Sequence, residues 1–128
     1  MAKKLHKSKI KFLLQEKRHN SLTAKALMVA KDYLDNLKQE LKVEKMILFG
    51  SAARGEMDKD SDIDLIIVSP DFKKMDFPER LLFLSRLRKG KSRSSAMDIF
   101  GYTPQEFKNS SKKRIILEEA KEEGIIIS

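Results

Sequence analysis

The stretch Asp62-Ile63-Asp64, at the head of the apolar run Leu65-Ile66-Ile67-Val68, restricts what this chain can fold into more than any other feature. Residues two apart in a strand project from the same face. Both carboxylates therefore stand side by side, while Ile63, Leu65 and Ile67 point the other way. Neighbouring carboxylates on an apolar strand are costly unless cations neutralise them. Magnesium bound through one or two carboxylates plus substrate phosphates meets that need. Upstream, Ile47-Leu48-Phe49 reads as a strand that runs into Gly50-Ser51, a short helix ended by Gly55, and the charged loop 56–61. Glycine lets a backbone approach a ligand closely, and the helix start behind it points free N–H groups at an anion.

Gly50-Ser51, ten intervening residues and Asp62-x-Asp64 resemble the signature of the nucleotidyltransferases related to DNA polymerase beta. The context Phe49-Gly50-Ser51-Ala52-Ala53-Arg54-Gly55, in so short a chain, resembles the minimal nucleotidyltransferases of prokaryotes. A bare Asp-x-Asp reads as a solvated acidic turn. Joined to Gly-Ser at this spacing, with a strand on either side, it reads as a site. The resemblance runs from about Leu41 to Phe107 and is strongest from Phe49 to Val68.

Asp98 lies between Met97 and Ile99 in a third strand, 96–102. Unpaired burial there would cost about 2–7 kcal/mol. The residues alone allow an edge aspartate facing water or paired with a lysine, or a third carboxylate beside Asp62 and Asp64. The run from Ala96 to Phe107 resembles the region where these nucleotidyltransferases carry a third acid, which implies the latter.

The resemblance implies transfer of a nucleoside monophosphate, AMP from ATP, to a hydroxyl acceptor, with pyrophosphate leaving by two-metal chemistry. Asp62 and Asp64 would hold two Mg2+ ions. Asp98 would hold the ion that activates the acceptor hydroxyl and could take its proton. Gly50 and Ser51 would cradle the outgoing phosphates, and the fork of Arg54 would steady them; otherwise Arg54 is a surface cation at a helix end. Minimal nucleotidyltransferases also occur as the antitoxin-like partner of a helical protein of the HEPN type. A sensor that binds ATP without turnover is a third reading, disfavoured because all three acids and Gly-Ser are present.

With 128 residues the chain makes one domain over 21–128, preceded by a basic arm or short helix over 1–20 with seven Lys or Arg against Glu16. The absence of cysteine excludes disulfides and thiolate sites. No apolar run approaches the roughly 18 residues of a membrane span, and the N-terminal segment lacks a signal peptide's apolar core. A cytoplasmic location is expected, with no membrane contact. His6 and His19 sit far from the acids and are not ligands. The net charge of +8 attracts anions. Lys89, Lys91 and Arg93 precede the Asp98 strand and border the expected acceptor opening. No aromatics interleave these cations to stack bases, which favours a protein hydroxyl over RNA as acceptor.

The expected fold is α/β: a small mixed sheet of three or four strands, helices on one face and the acids on the other. Leu22, Ala26, Val29, Tyr33, Leu37 and Leu41 mark an amphipathic helix from Ser21. Strands follow at 43–49 and 62–68. Pro78 opens a helix through Leu81, Leu84 and Leu87. Thr103 with Glu106 reads as a capping box, and a last helix stops at Gly124. The apolar tail Ile125-Ile126-Ile127 packs as a short strand or docks on a partner; an oligomer is possible.

Overall fold

Helix α1 spans Ser21–Lys38 and buries a wider stripe than its spacing suggested. Ala26, Val29, Tyr33 and Leu37 are inside, joined by Thr23, Leu27, Ala30 and Leu34, whereas Leu22 is exposed. The stripe is wide because α1 packs on more than the sheet: the Tyr33 hydroxyl donates to the Leu84 carbonyl at 2.7 Å, tying it to helix α3, Phe77–Arg86. The computed structural model describes residues 21–109 and 115–127; the basic arm expected over 1–20 lies outside them.

Four strands form one mixed sheet. Strand β1 (Lys45–Phe49) pairs antiparallel with β2 (Ile63–Val68), Phe49 opposite Asp64. Strand β3 (Met97–Tyr102) runs parallel to β2, with Asp98 opposite Asp64. Parallel neighbours need a crossover connection, and α3 lies in it. The tail forms β4, Ile125–Ile126, antiparallel to β1, so the strand alternative holds. The spatial order is β3-β2-β1-β4, which leaves β3 at an edge.

Because β1 and β2 are apolar on both sides, each sheet face has its own core. Met46, Leu48, Leu65, Ile67 and Ile99 face α1, Leu84 of α3, Phe72, and Ala52 and Ala53 of the single-turn helix α2, Ser51–Arg54. Ile47, Phe49, Ile66, Val68 and Tyr102 face the opposite way, toward Phe107 of α4 (Pro104–Lys108) and Leu117 and Ala120 of α5 (Ile115–Glu123). The acids therefore occupy the face opposite α1, as expected. That face also carries α4 and α5, which leave open only the half bearing Asp64 and Asp98.

Caps set the helix starts. Thr103 and Glu106 form the expected capping box, and Asp76 with Glu79 forms another at the start of α3. Buried Arg80 joins α3 to the rest. It donates to the Met75 and Gly101 carbonyls and makes a two-pronged pair with Glu106 at 2.6 and 3.2 Å. Of the leucines on the expected helix, Leu84 is fully buried and Leu81 is 53% exposed. Apolar residues run nearly all round α3, and Arg80 and Leu84 take the inward face. No helix among the described residues is long and apolar enough to cross a membrane.

Candidate active site

The acid pair is a product of register. Asp64 and Asp98 sit opposite each other on neighbouring parallel strands, so their side chains leave the sheet on the same face, where one can donate to the other only when protonated. Burial, first, and then the charges of Asp98, Asp62 and Glu119 push the Asp64 carboxyl up from 3.8 to about 6. The hydrogen bond with Asp98 adds to the rise. One proton, or one cation, is what this pair lacks.

Gly50 makes the close quarters possible. Its backbone, at φ +72° and ψ −151°, lies where side-chain-bearing residues are rarely found. A Cβ there would fall 2.2 Å from Asp64 Oδ2. The Gly50-Ser51 turn is thus pressed against the carboxylate, bringing the backbone meant for phosphates beside the acid meant for metal. Ser51 is half-buried at the start of α2. The following loop is closed by Asp58 and Ser61: Asp58 Oδ1 accepts from the Asp60 N–H and the Ser61 hydroxyl.

Asp62 stands differently. Strand β2 begins at Ile63, so Asp62 lies one residue ahead of the ladder and is exposed. Its charge reaches Asp64. Among the described residues, however, no three His, Cys, Asp or Glu side chains gather as a metal cluster. The expected trio is assembled as a pair with a third acid at its margin. Oxygen-only donors of this kind suit a hard cation completed by phosphate oxygens and water.

Arg54 is more committed than the sequence suggested. Its Nε meets Glu56 at 2.8 Å, and its Nη1 meets Glu123 at 3.2 Å and Glu119 at 3.4 Å. A phosphate would have to compete with three carboxylates for this guanidinium. Glu119 escaped the sequence reading. It lies in a charged helix with no motif around it, and only packing of α5 on the acid face brings it near Asp64.

The comparisons with known proteins agree with this architecture. Residues 30–122, well over half of the chain, match the family model described as the nucleotidyltransferase domain. A crystal structure from Sulfolobus solfataricus, of a protein provisionally assigned as a nucleotidyltransferase, aligns with a TM-score of 0.59 and 24% identity. The alignment covers 81% of this chain and 80% of that one, and at this identity it speaks for the fold. Comparison with curated proteins gives no match. A Gly-Ser turn pressed against an acid pair on parallel strands is thus set in a fold shared with that protein, and the chain belongs to the nucleotidyltransferase domain family.

Proposed function

We propose that the chain transfers a nucleoside monophosphate, AMP from ATP, to a hydroxyl acceptor in a Mg2+-dependent reaction that releases pyrophosphate. The observation that carries this reading is the Asp64–Asp98 pair, opposed in register and short of positive charge. Mg2+ at the pair fits the oxygen donor set and would supply charge neutralisation at the transferring phosphorus. Asp64 and Asp98 would hold it, with Asp62 adding charge from the strand entrance.

The chain's own residues divide the remaining work. Gly50 and Ser51 present backbone N–H groups and a hydroxyl to the departing phosphates, and the bare Cα of Gly50 allows this next to Asp64. Asp98 faces the acceptor side and takes the proton from the attacking hydroxyl. That oxygen forms a new bond to the α-phosphorus as the bond to the pyrophosphate oxygen breaks. Arg54, held by Glu119 and Glu123, fixes α2 and its phosphate turn relative to α5.

The test is incubation of the full chain with α-labelled ATP, Mg2+ and cell lysate, beside Asp64→Asn and Asp98→Asn. Label in a macromolecule with wild type, and in neither variant, is the expected result. ATP binding without label transfer would favour a nucleotide sensor instead.

A further inference from the structure

The sheet face that bears the acids carries a hollow at its other end. It encloses about 570 Å3, within the roughly 300–1,000 Å3 of small-molecule sites. Ile47, Val68, Phe107, Ala120 and Ile126 give it an apolar floor. Strand β1 sets its distance from the acids. Lys45, in the lining, precedes Phe49, the residue opposite Asp64, by about 13 Å of extended strand. The hollow is therefore a separate place from the acid pair and the Gly50 turn.

Cations rim this apolar floor. Lys45 of β1 and Lys121 of α5 hold their ammonium groups 5.3 and 5.0 Å from the centre of the Phe107 ring. Both distances are those of cation–π contact, so one aromatic side chain draws two cations to the same wall. Lys108, exposed at the end of α4, adds a third, and Glu44 is the one carboxylate in the lining. Three ammonium groups against one carboxylate leave a positive surplus over an apolar interior. The lining holds no arginine, whose fork suits phosphate. Lysines supply point charges, which match a head group of single charge. The chain's own remaining stretches do not complement this rim. Residues 1–20 carry seven Lys or Arg against Glu16, and 110–114 read Ser-Ser-Lys-Lys-Arg, so either would bring more positive charge.

We infer that this hollow binds a small amphipathic carboxylate, its apolar body on the Phe107 floor and its anionic head at the lysine rim. The inference uses none of the acids and stands apart from the nucleotidyl-transfer reading. Burial of the body supplies the affinity, in proportion to the apolar area removed from water. The rim supplies the selectivity: an anionic head is attracted, and a cationic head on the same body is repelled.

The test follows the fluorescence of anilinonaphthalene sulfonate, an apolar anion, with the full chain. The dye is displaced by hexanoate, octanoate and octyltrimethylammonium. Octanoate should bind about tenfold tighter than hexanoate, at roughly fourfold per buried methylene, and octyltrimethylammonium should leave the dye in place. Lys108→Glu/Lys121→Glu should weaken octanoate by about tenfold, the scale of two exposed ion pairs lost. Melting temperature serves as the fold control, and Lys108→Gln/Lys121→Gln replaces the reversal, with a smaller loss, if the reversal melts early. The basic N-terminal arm is common to all these proteins, so the difference reports the hollow. An absence of saturable dye binding, equal displacement by octanoate and octyltrimethylammonium, or unchanged octanoate affinity in a folded variant would overturn the inference. A dimer in sedimentation that octanoate dissociates would assign the hollow to a second copy of the chain and overturn it likewise.

Discussion

Replacing Asp64 by Asn should stabilise the metal-free protein while abolishing its response to Mg2+. In the folded chain the Asp64 carboxyl titrates at about 6 instead of 3.8, with burial as the leading cause and Asp98 next. The sign follows from linkage. A carboxyl with a raised folded pKa favours folding while it is protonated; that contribution is complete below about pH 4 and lost as pH rises through about 6. At 1.36 kcal/mol per pH unit, the gap between the two values gives about 3 kcal/mol at most. The carboxylate is only half-buried, so solvent screening reduces this to about 1–2 kcal/mol. Asn keeps the shape and can donate to Asp98. At pH 7.5 in chelator the variant should therefore melt about 3–8 °C higher than wild type, and at pH 4 the two should coincide. Mg2+ should raise the melting temperature of wild type alone. Thermal melts by circular dichroism, with and without metal at both pH values, measure all of this. A variant that melts no higher at pH 7.5, or gains equally at pH 4, would refute the reasoning that the two acids repel.

Gly50→Ala should force the turn away from Asp64 Oδ2 and lose about 1–3 kcal/mol from the unfavourable backbone alone; urea unfolding reads the loss, and label transfer should fall with it. Arg80→Met removes the buried partner of Glu106 and two carbonyls and should cost about 3–5 kcal/mol in the same assay. Burial opposes ionisation of Glu106, but its bonds to Arg80 and Thr103 prevail and hold the carboxyl below its usual range. The stability from this pair should be present above about pH 4.5 and decline as acid titrates Glu106, a decline that Glu106→Gln should flatten. Arg54→Ala releases Glu119 and Glu123 from α2; the apparent KM for ATP should rise with little change in melting temperature, since the pairs are exposed.

How much of this was legible in the sequence depended on whether the signal was local. The strands around Gly50 and Asp64 could be read because apolar runs, a glycine turn and an alternating acid pair sit within a few residues of one another. The β3 strand and the capping box of Thr103 with Glu106 were readable for the same reason. Asp98 could be placed in a strand but not on a face, because its partnership with Asp64 is a register between strands that α3 separates. The inward face of α3 was hidden because Phe77, Leu81, Leu82 and Leu84 are all apolar while the buried residue that fixes the helix is a cation, Arg80. The strand expected from Asp62 starts at Ile63, so Asp62 stands exposed one residue ahead of the ladder, with its charge still reaching Asp64.

The arrangement also explains how an acid pair can sit on a sheet that is otherwise apolar on both faces. Along β2 the acid face reads Asp64, Ile66, Val68, and along β3 it reads Asp98, Phe100, Tyr102. Each strand therefore changes from charged to apolar within one step of its pleat. Phe107 and Leu117 cover the apolar end, while Phe49 and Phe100, ring centroids 6.2 Å apart, line the border. Were α5 to extend over the acids, both carboxylates would be fully desolvated. Were it absent, Ile66 and Val68 would lie bare. The polar groups that α5 carries to this border, Glu119 and Glu123, hold Arg54 rather than bury against the acids. The helix that completes the second core thereby also sets the limit of the open site, with the phosphate turn fastened to it through α2.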